Sequence, residues 1–214
     1  MSEQTVLMTA VGSYLPANVV TNHDLSACVE TSDEWIRRRT GITQRHFVAD
    51  GETTADLASK AAIKALMQAG LAPTDIDLII VATTTPDNTF PSTATKGHHL
   101  IGAPGTIAFD VQAVCAGFIY AVDVADAMLR GKRGRRALVI GAESFSKLLD
   151  WQDRTTCVLF GDGAGAVILE IADGESDFGI RSSVLHADGA YRDILYVDGG
   201  PSSNQSVGYV RMEG

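Results

Sequence analysis

The fold is decided by the stretch "FDVQAVCAGFIYAVDVADAMLRGKRG", residues 109–134. It opens as the end of an apolar run, which predicts a buried strand. It continues as a helix that is apolar over most of its surface, which predicts a mostly buried helix with a deep N-terminus. Its polar residues form one narrow stripe at spacings of three and four, namely Asp123, Asp126 and Arg130. Cys115 lies at the corner where the strand gives way to the helix.

This corner suits a nucleophilic thiol. The unpaired N–H groups and the macrodipole at a helix N-terminus favour a thiolate over a thiol. Strand-to-helix turns also open toward the edge where α/β sheets bind ligands. A small buried thiol that packs like alanine is the alternative, and the local sequence leaves both interpretations of Cys115 open. Cys28, which ends a short helix, and Cys157, inside a predicted apolar strand, fit the alternative better.

Strand and helix patterns alternate along the chain on both sides of this corner. Apolar runs at 5–13, 77–85, 106–111 and 135–144 predict strands. Alternation of strands with helices predicts a parallel sheet in a layered α/β architecture. In "TTCVLFGDGAGAVILEIAD" (155–173) the pattern changes and predicts two strands separated by a glycine-rich turn.

Local signals place the helix ends. In "TSDEWIRRRTG" (31–41) the spacing predicts Thr31 as the N-cap, Glu34 as its capping-box partner and Gly41 as the stop. Another helix is predicted from Pro91 to Leu100, with proline in the first turn. Residues 53–69 predict an amphipathic helix, whose apolar face carries Leu57, Ile63 and Leu66. We divide the chain into a main segment, 1–171, and a strand-and-loop segment, 172–214.

Composition and charge restrict the function. The chain has 214 residues, 45% of them hydrophobic, which is enough for one large domain. With 17 basic against 26 acidic residues its formal net charge is −9, which argues against nucleic-acid binding. Three widely spaced cysteines without a CxxC and five histidines without paired spacing predict no metal site. No apolar run reaches membrane-spanning length and no signal peptide is recognisable, so we expect a cytoplasmic protein.

The order of the motifs resembles the β-ketoacyl-acyl carrier protein synthase III family, the initiating condensing enzymes of the thiolase-like superfamily. The matching segments follow the family order and span nearly the whole chain: "VGSYLP" (11–16), "TSDEWIRRRTGI" (31–42), "VATTTPDNTFPS" (81–92), "DVQAVCAGFIYA" (110–121), "DWQDRTTCVLFGDGAGAVIL" (150–169) and "LHADGAY" (185–191). The resemblance implies an α/β, thiolase-like layered α-β-α fold with a mixed sheet. The chain would be the N-terminal half of its pseudo-two-fold repeat.

The same resemblance implies a reaction. Cys115 matches the family nucleophile, which is acylated by acetyl-CoA or another short acyl-CoA with loss of CoA. Malonyl-acyl carrier protein then loses CO₂, and the carbanion attacks the acyl-enzyme to initiate fatty-acid synthesis. Acyl-CoA is therefore expected as a substrate, with no resident cofactor. The backbone N–H of Cys115 is the expected oxyanion donor.

Further residues match by position. The resemblance places the CoA adenine between Trp35 and Arg154, with Arg39 and Thr31 near the nucleotide and its phosphates, and an indole and a guanidinium both stack on a purine. Surface anchoring for Trp35 and a solvated face for the arginines remain the alternatives. Acyl-pocket positions match Phe90, Phe145, Phe160 and Leu195. The Phe90 position serves a neighbouring subunit in the family, which implies a homodimer. Plain core packing is the alternative for these rings.

One departure from the family limits the reaction. The family's second half supplies a catalytic His, in a segment like "PHQAN", and an Asn, in one like "GNTSAA", and neither segment occurs in these 214 residues. A truncated piece, a separate chain carrying the other half, and a half-length product all remain possible. We favour the first two, because half of such a fold would expose an interface that is normally buried. The functional alternatives are a secondary-metabolism relative that condenses or transfers acyl groups and a catalytically incomplete fragment.

Overall fold

The computed structural model describes residues 4–174 and 176–213. The chain divides into two compact units, each assembled from three stretches. The first, the sheet unit, comprises Met1–Leu15, Glu52–Glu143 and Gly163–Leu185. The second, the hairpin unit, comprises Pro16–Gly51, Ser144–Asp162 and His186–Gly214. The boundary drawn from the sequence between residues 171 and 172 concerns a longer fold with two halves, and it stays a prediction.

The elements are numbered here in chain order. The strands are β1 (Val6–Tyr14), β2 (Asn18–Thr21), β3 (Gln44–Phe47), β4 (Leu78–Ala82), β5 (Ile107–Val111), β6 (Arg136–Ser144), β7 (Asp162–Ile171), β8 (Leu195–Gly200) and β9 (Ser206–Met212). The α-helices are α1 (Asn22–Ser26), α2 (Asp33–Thr40), α3 (Thr54–Ala69), α4 (Thr93–Ile101) and α5 (Gly117–Arg130). In the part of the chain that the structure describes, no helix is long and apolar enough to cross a membrane.

The sheet unit is built on a five-stranded mixed sheet in the order β1-β7-β6-β4-β5. Strand β4 pairs in parallel with β5 and β6, while β1 pairs antiparallel with β7. All of β4 is buried, because its sequence "LIIVA" is apolar on both faces. Leu78 and Ile80 pack with α5, so the alternating Ile79 and Val81 face the opposite layer. The predicted layered α/β fold with a mixed sheet is confirmed.

Helix α3 packs on β1 through its smallest side chains. Alanines at 58, 61, 62 and 65 form the buried stripe, and a Cβ on Gly12 of β1 would lie 2.3 Å from the Ala61 carbonyl oxygen. This close approach requires glycine on the strand and alanine on the helix. Leu57 and Leu66 are buried as predicted, but Ile63 is 43% exposed, so its assignment to the apolar face is wrong.

The N-terminus of α4 differs from the prediction. The helix begins at Thr93 and its N-cap is Ser92, whose hydroxyl accepts the Thr95 N–H at 3.2 Å. The Asp110 carboxylate at the end of β5 accepts the N–H groups of Thr93 and Ala94, both at 2.7 Å. Pro91 therefore precedes the cap and does not lie in the first turn. The Ser92 hydroxyl and the Asp110 carboxylate accept the N–H groups of the first turn, and this fixes the start of the helix after Ser92.

The hairpin unit holds α1, α2 and two antiparallel strand pairs, β2–β3 and β8–β9. Its core contains Leu25, Ile36, Leu149, Cys157, Val158 and Val210. The Arg45 side chain is only 6% exposed. Its guanidinium donates to the Asn22 side-chain oxygen at 2.8 Å and to the Val158 carbonyl at 3.0 Å. This arginine thus joins β3 to α1 and to the turns that precede β7.

Helix α2 begins one residue later than the sequence predicts. Its N-cap is Ser32, whose hydroxyl accepts the Trp35 N–H at 3.1 Å. The assignment of Thr31 as N-cap, with Glu34 completing a capping box, is therefore wrong. Threonine and serine are both common N-caps, serine being the better of the two, and the extended backbone at Ser32 (φ −146°, ψ 158°) makes it the cap. Gly41 ends the helix in a left-handed conformation (φ 75°), as predicted.

The glycine-rich segment "GDGAGA" lies within a strand. Strand β7 begins at Asp162, the second residue of the segment, and runs continuously through Gly163 and Gly165, the latter paired with Ser13 of β1. The residues before it, including Cys157, form turns. The prediction of two strands broken at a glycine-rich turn is therefore wrong, because pairing along β1 extends these small residues into a ladder.

Candidate active site

The strand-to-helix corner around Cys115, residues 111–117, has an unusual backbone; we call it the Cys115 corner. Strand β5 ends at Val111, a 3-10 turn covers Val114–Ala116, and α5 begins at Gly117. Val114 has a φ of 47°, in the left-handed region that β-branched residues avoid. Such a conformation costs about 1–3 kcal/mol and persists only where its surroundings hold it. Cys115 sits at the centre of this strained turn, two residues before the first residue of α5.

The Cys115 side chain is exposed, so it does not pack like a buried alanine. Helix α5 also buries less than predicted. Its buried residues form one stripe, Gly117, Ala121, Ala125 and Leu129, and Ile119 is 53% exposed. The prediction of a mostly buried helix is wrong for this chain, because the sheet covers only one face of α5.

A cleft of about 320 Å³ opens beside Cys115 at the carboxyl ends of the parallel strands. We call it the Cys115 cleft. Its floor consists of small residues, which are Ala82, Gly141, Ala142, Gly163, Ala164 and Gly165. Its walls are Leu15, Val114, Phe118 and Glu143. A Cβ on Gly163 would lie 3.0 Å from the Leu15 side chain, so the missing side chains keep the cleft open.

Glu143 is a wall residue that the sequence interpretation missed. Its Oε1 accepts the Thr84 N–H at 2.8 Å, and its Oε2 accepts the hydroxyls of Thr84 at 3.1 Å and Thr85 at 2.6 Å. Burial raises the pKa of the Glu143 carboxyl, an effect that these hydrogen bonds oppose. The available signal was an acidic residue at the carboxyl end of a buried parallel strand, where ligand sites form.

In the hairpin unit the structure brings together three of the predicted CoA residues. The Arg39 guanidinium carbon lies 4.4 Å from the centre of the Trp35 ring, and that of Arg154 lies 5.4 Å from it. Arg154 also donates to the Glu30 carbonyl at 3.2 Å. The Thr31 hydroxyl oxygen is buried and has no hydrogen-bond partner among residues 4–174 and 176–213. The hairpin unit thus holds a stacking surface and, at Thr31, a buried polar atom without a partner among the described residues.

The spacing in this cluster is too small for an inserted purine. A ring stacked on both sides needs about 7 Å between its neighbours, twice an optimal carbon contact of about 3.5 Å. Arg154 stands 5.4 Å from the Trp35 ring. Its side chain is exposed, so it can swing outward at little cost. An adenine between Trp35 and Arg154 therefore requires Arg154 to move.

The predicted acyl-pocket residues fall in both units. Phe145 and Phe160 stack in the hairpin unit, with ring centres 4.4 Å apart at an interplanar angle of 32°. Leu195, in β8 of the same unit, is 38% exposed. Phe90 belongs to the sheet unit and is 84% exposed. Both rings of the Phe145–Phe160 pair pack against the core of their unit, so core packing accounts for their position.

The other two cysteines differ from each other. Cys157 is fully buried, and burial raises the pKa of its thiol, as expected for a packing residue. Cys28 is exposed, so the expectation that it packs as a buried thiol is wrong. Within the described ranges, no group of three or more His, Cys, Asp or Glu side chains could hold a metal ion.

The site can be compared with known proteins. Residues 109–189 match the family described as 3-oxoacyl-[acyl-carrier-protein (ACP)] synthase III. The β-ketoacyl-[acyl-carrier-protein] synthase III of Paramagnetospirillum magneticum is 61% identical over 206 residues, which are 95% of this chain and 64% of that protein. The chain thus spans less than two thirds of this relative's length.

Two solved structures share the fold. The 3-oxoacyl-[acyl-carrier-protein] synthase III of Aquifex aeolicus is 45% identical, with a TM-score of 0.88 over 98% of this chain and 64% of that chain. A priming β-ketosynthase from the R1128 polyketide biosynthetic pathway is 30% identical, with a TM-score of 0.89 over 99% of this chain and 64% of that chain. The thiolase-like fold implied by the sequence motifs is therefore confirmed.

Proposed function

Since this chain belongs to the β-ketoacyl-[acyl-carrier-protein] synthase III family, we propose that Cys115 is the thiol that accepts an acyl group from acyl-CoA. The carrying observation is the exposed Cys115 side chain at a strained strand-to-helix corner that opens into a cleft. An exposed thiol at a helix N-terminus combines access with a favourable field for the thiolate.

In the proposed first step, the Cys115 thiolate attacks the thioester carbonyl and a C–S bond forms. The tetrahedral oxyanion collapses, the bond to the CoA sulfur breaks, and CoA leaves as its thiolate. The Ala116 N–H is already engaged with the Ala113 carbonyl at 3.1 Å. The N–H of Cys115 itself is therefore the proposed donor to the oxyanion.

Binding of CoA is assigned to the hairpin unit. Trp35 and Arg154 are proposed to stack on the adenine after Arg154 moves outward, and Arg39 supplies positive charge near the phosphates. The unsatisfied Thr31 hydroxyl supports a role as a hydrogen-bonding group for the nucleotide. Acyl-CoA serves as substrate, and the proposed reaction uses no resident cofactor.

The second step involves groups outside these residues. Condensation with malonyl-acyl carrier protein, initiating fatty-acid synthesis, is proposed for an assembly that adds the family's His and Asn on a C-terminal half, whether fused or separate. A homodimer in the cytoplasm is the proposed setting. The 84% exposure of Phe90 supports its contribution to a neighbouring subunit's acyl pocket.

The acyl-acceptor assignment is tested by incubating the chain with isotope-labelled acetyl-CoA and locating the label by peptide mass spectrometry. We expect label on the peptide that contains Cys115 and none after Cys115→Ala. Cys28→Ser is the matched control, because it removes the other exposed thiol and leaves labelling unchanged. Label on Cys28 contradicts the proposal. No label on any residue, with the fold intact, also contradicts it and favours a catalytically incomplete fragment.

A second candidate is a condensing enzyme of secondary metabolism. It is favoured by the similarity to the priming ketosynthase of a polyketide pathway. A panel of acyl-CoA thioesters separates the two, since preference for acetyl-CoA supports initiation of fatty-acid synthesis. Preference for longer or branched acyl groups supports the second candidate.

A further inference from the structure

A short turn at the end of β4 joins several strand ends next to the Cys115 cleft. We call Thr83–Thr85 the strand-end turn. Glu143 of β6 accepts three hydrogen bonds from its residues. The Thr83 N–H donates to the carbonyl of Val111, the last residue of β5, at 3.2 Å. The Thr54 hydroxyl at the start of α3 donates to the Thr85 carbonyl at 2.6 Å.

The strand-end turn and the residue before it contact the chain on both sides of Cys115. Val111 lies four residues before Cys115, and its carbonyl is held by the turn. Ala82 immediately precedes the turn and supports the first residue of α5, because a Cβ on Gly117 would lie 3.4 Å from the Ala82 Cβ. The residues before and after Cys115 are therefore both in contact with the strand-end turn or with the residue that precedes it.

The strained corner depends on such restraint. Val114 keeps its φ of 47° only if the segments before and after it are held in place. Thr83 in the turn and Thr54 beside it are 5% and 2% exposed, while Thr84 and Thr85 are half-buried, so the polar groups of the turn depend largely on protein partners. The Glu143 side chain is therefore the acceptor on which the order of this region rests.

We propose that Glu143 is a positioning residue for Cys115, which fixes the strand-end turn and thereby holds the corner in the geometry that acyl transfer needs. This rests on the proposed role of Cys115 as acyl acceptor. Without the carboxylate, the Thr84 N–H and two hydroxyls lose their acceptor inside a half-buried network, so the turn must rearrange. Both carboxylate oxygens are occupied by threonine donors, which argues against direct proton transfer with the thiol.

The test compares Glu143→Ala with Glu143→Gln in the full 214-residue chain. The rate of Cys115 acetylation is measured by intact mass across a range of acetyl-CoA concentrations. We expect Glu143→Ala to lower the maximal rate about tenfold, because small displacements of a reacting group cost this much or more. The half-saturating concentration should stay within about twofold, since the CoA residues lie in another unit.

Glu143→Gln should restore the maximal rate to within about threefold, because its amide oxygen accepts the Thr84 N–H and the threonine hydroxyls can rotate to accept from its NH₂. The matched control is Glu170→Ala. Glu170 lies on β7 of the same sheet and pairs with Arg136 at 2.7 Å, so its loss removes an acidic side chain without touching the turn. Its maximal rate should stay within about twofold.

Hydrogen exchange gives a readout that needs no acyl transfer. In Glu143→Ala, exchange in residues 83–92 and 112–118 should rise by about tenfold, while Glu143→Gln and Glu170→Ala stay near the unsubstituted chain. Unchanged exchange in 112–118 overturns the positioning role whatever the acetylation result. If the unsubstituted chain takes no acetyl group, the proposed function fails, and exchange still decides whether Glu143 holds the corner. Equal rate loss in the Ala and Gln variants with unchanged exchange also overturns it.

Discussion

The Cys115 corner of the sheet unit and the Trp35–arginine cluster of the hairpin unit are held in different ways. Around Cys115 the restraints are backbone pairing, a strained turn and a half-buried hydrogen-bond network centred on Glu143. Trp35 packs against the edge of the hairpin unit's core, and the rest of its surroundings are two exposed guanidinium groups, those of Arg39 and Arg154. A bond-forming atom benefits from fixed geometry, whereas a stacking surface benefits from side chains that can move apart.

The largest expected effect is a loss of stability from disrupting the packing of the sheet unit. Gly12→Val places a side chain on β1 where a Cβ would already lie 2.3 Å from the Ala61 carbonyl oxygen. We expect the free energy of unfolding to fall by about 3 kcal/mol or more, because α3 cannot approach the strand. Urea denaturation followed by circular dichroism measures it.

The matched control for this substitution is Gly165→Ala. Gly165 lies on the paired strand β7, and a Cβ there meets nothing within 4 Å. Its unfolding free energy should change by less than about 0.5 kcal/mol. A Gly12→Val chain as stable as this control would show that the close packing of β1 on α3 does not support the sheet unit.

A substitution in the Trp35–arginine cluster should weaken the binding of acetyl-CoA and leave the maximal rate of acetylation unchanged. Trp35→Ala removes the stacking surface, and we expect the half-saturating acetyl-CoA concentration to rise about tenfold, since one base stack contributes about 1–3 kcal/mol. The maximal rate of Cys115 acetylation should change by less than about twofold. Initial-rate measurements separate the two parameters.

Trp151→Ala controls for the loss of a tryptophan in the same unit. Trp151 packs edge-on against Phe47 at 5.4 Å between ring centres and takes no part in the arginine cluster. Its half-saturating concentration should match that of the unsubstituted chain. Equal weakening by both substitutions would mean that Trp35 supports the fold of the hairpin unit and not a nucleotide.

A smaller effect should follow from relaxing the corner. Val114→Asn replaces a β-branched residue at φ 47° with one that tolerates the left-handed region. We expect the free energy of unfolding to rise by about 1 kcal/mol, because the backbone strain at this position is removed. The acetylation rate should fall, because an unstrained turn no longer holds Cys115 in a single geometry. Thermal denaturation and acetylation are measured on the same samples, and a gain in both would contradict a role for the strain.

The smallest expected effect is a pH dependence of stability from Glu143. Burial raises the pKa of this carboxyl, so between the unfolded value and the raised value the folded state binds more protons than the unfolded state. The free energy of unfolding therefore falls as pH rises through this window, and Glu143→Gln, which cannot ionise, avoids the loss. The stability of Glu143→Gln relative to the unsubstituted chain should grow from pH 4 toward neutrality. Denaturation at several pH values checks this, and a constant difference would exclude the effect.

The sequence by itself determined the alternation of strands and helices, the helix stop at Gly41, and the cysteine at the β5–α5 corner. These features depend on residue periodicity and on glycine in a left-handed cap, which are local properties. The ordered motifs also identified the family and the layered fold. Local signals were weaker at helix N-termini that offer more than one N-cap residue. The start of α2 is an example, since the hydroxyl of either Thr31 or Ser32 could cap the helix.

Only the tertiary structure decided how the site is assembled. The bonds of Glu143 to Thr84 and Thr85 join residues 59 and 58 positions apart, and no local pattern encodes them. The same holds for the pairing of residues 164–166 with β1, for the contact of Arg154 with Trp35, and for the exposure of Cys115. Periodicity specifies which elements form, whereas the positions of side chains at a cleft depend on which strand ends the fold brings together.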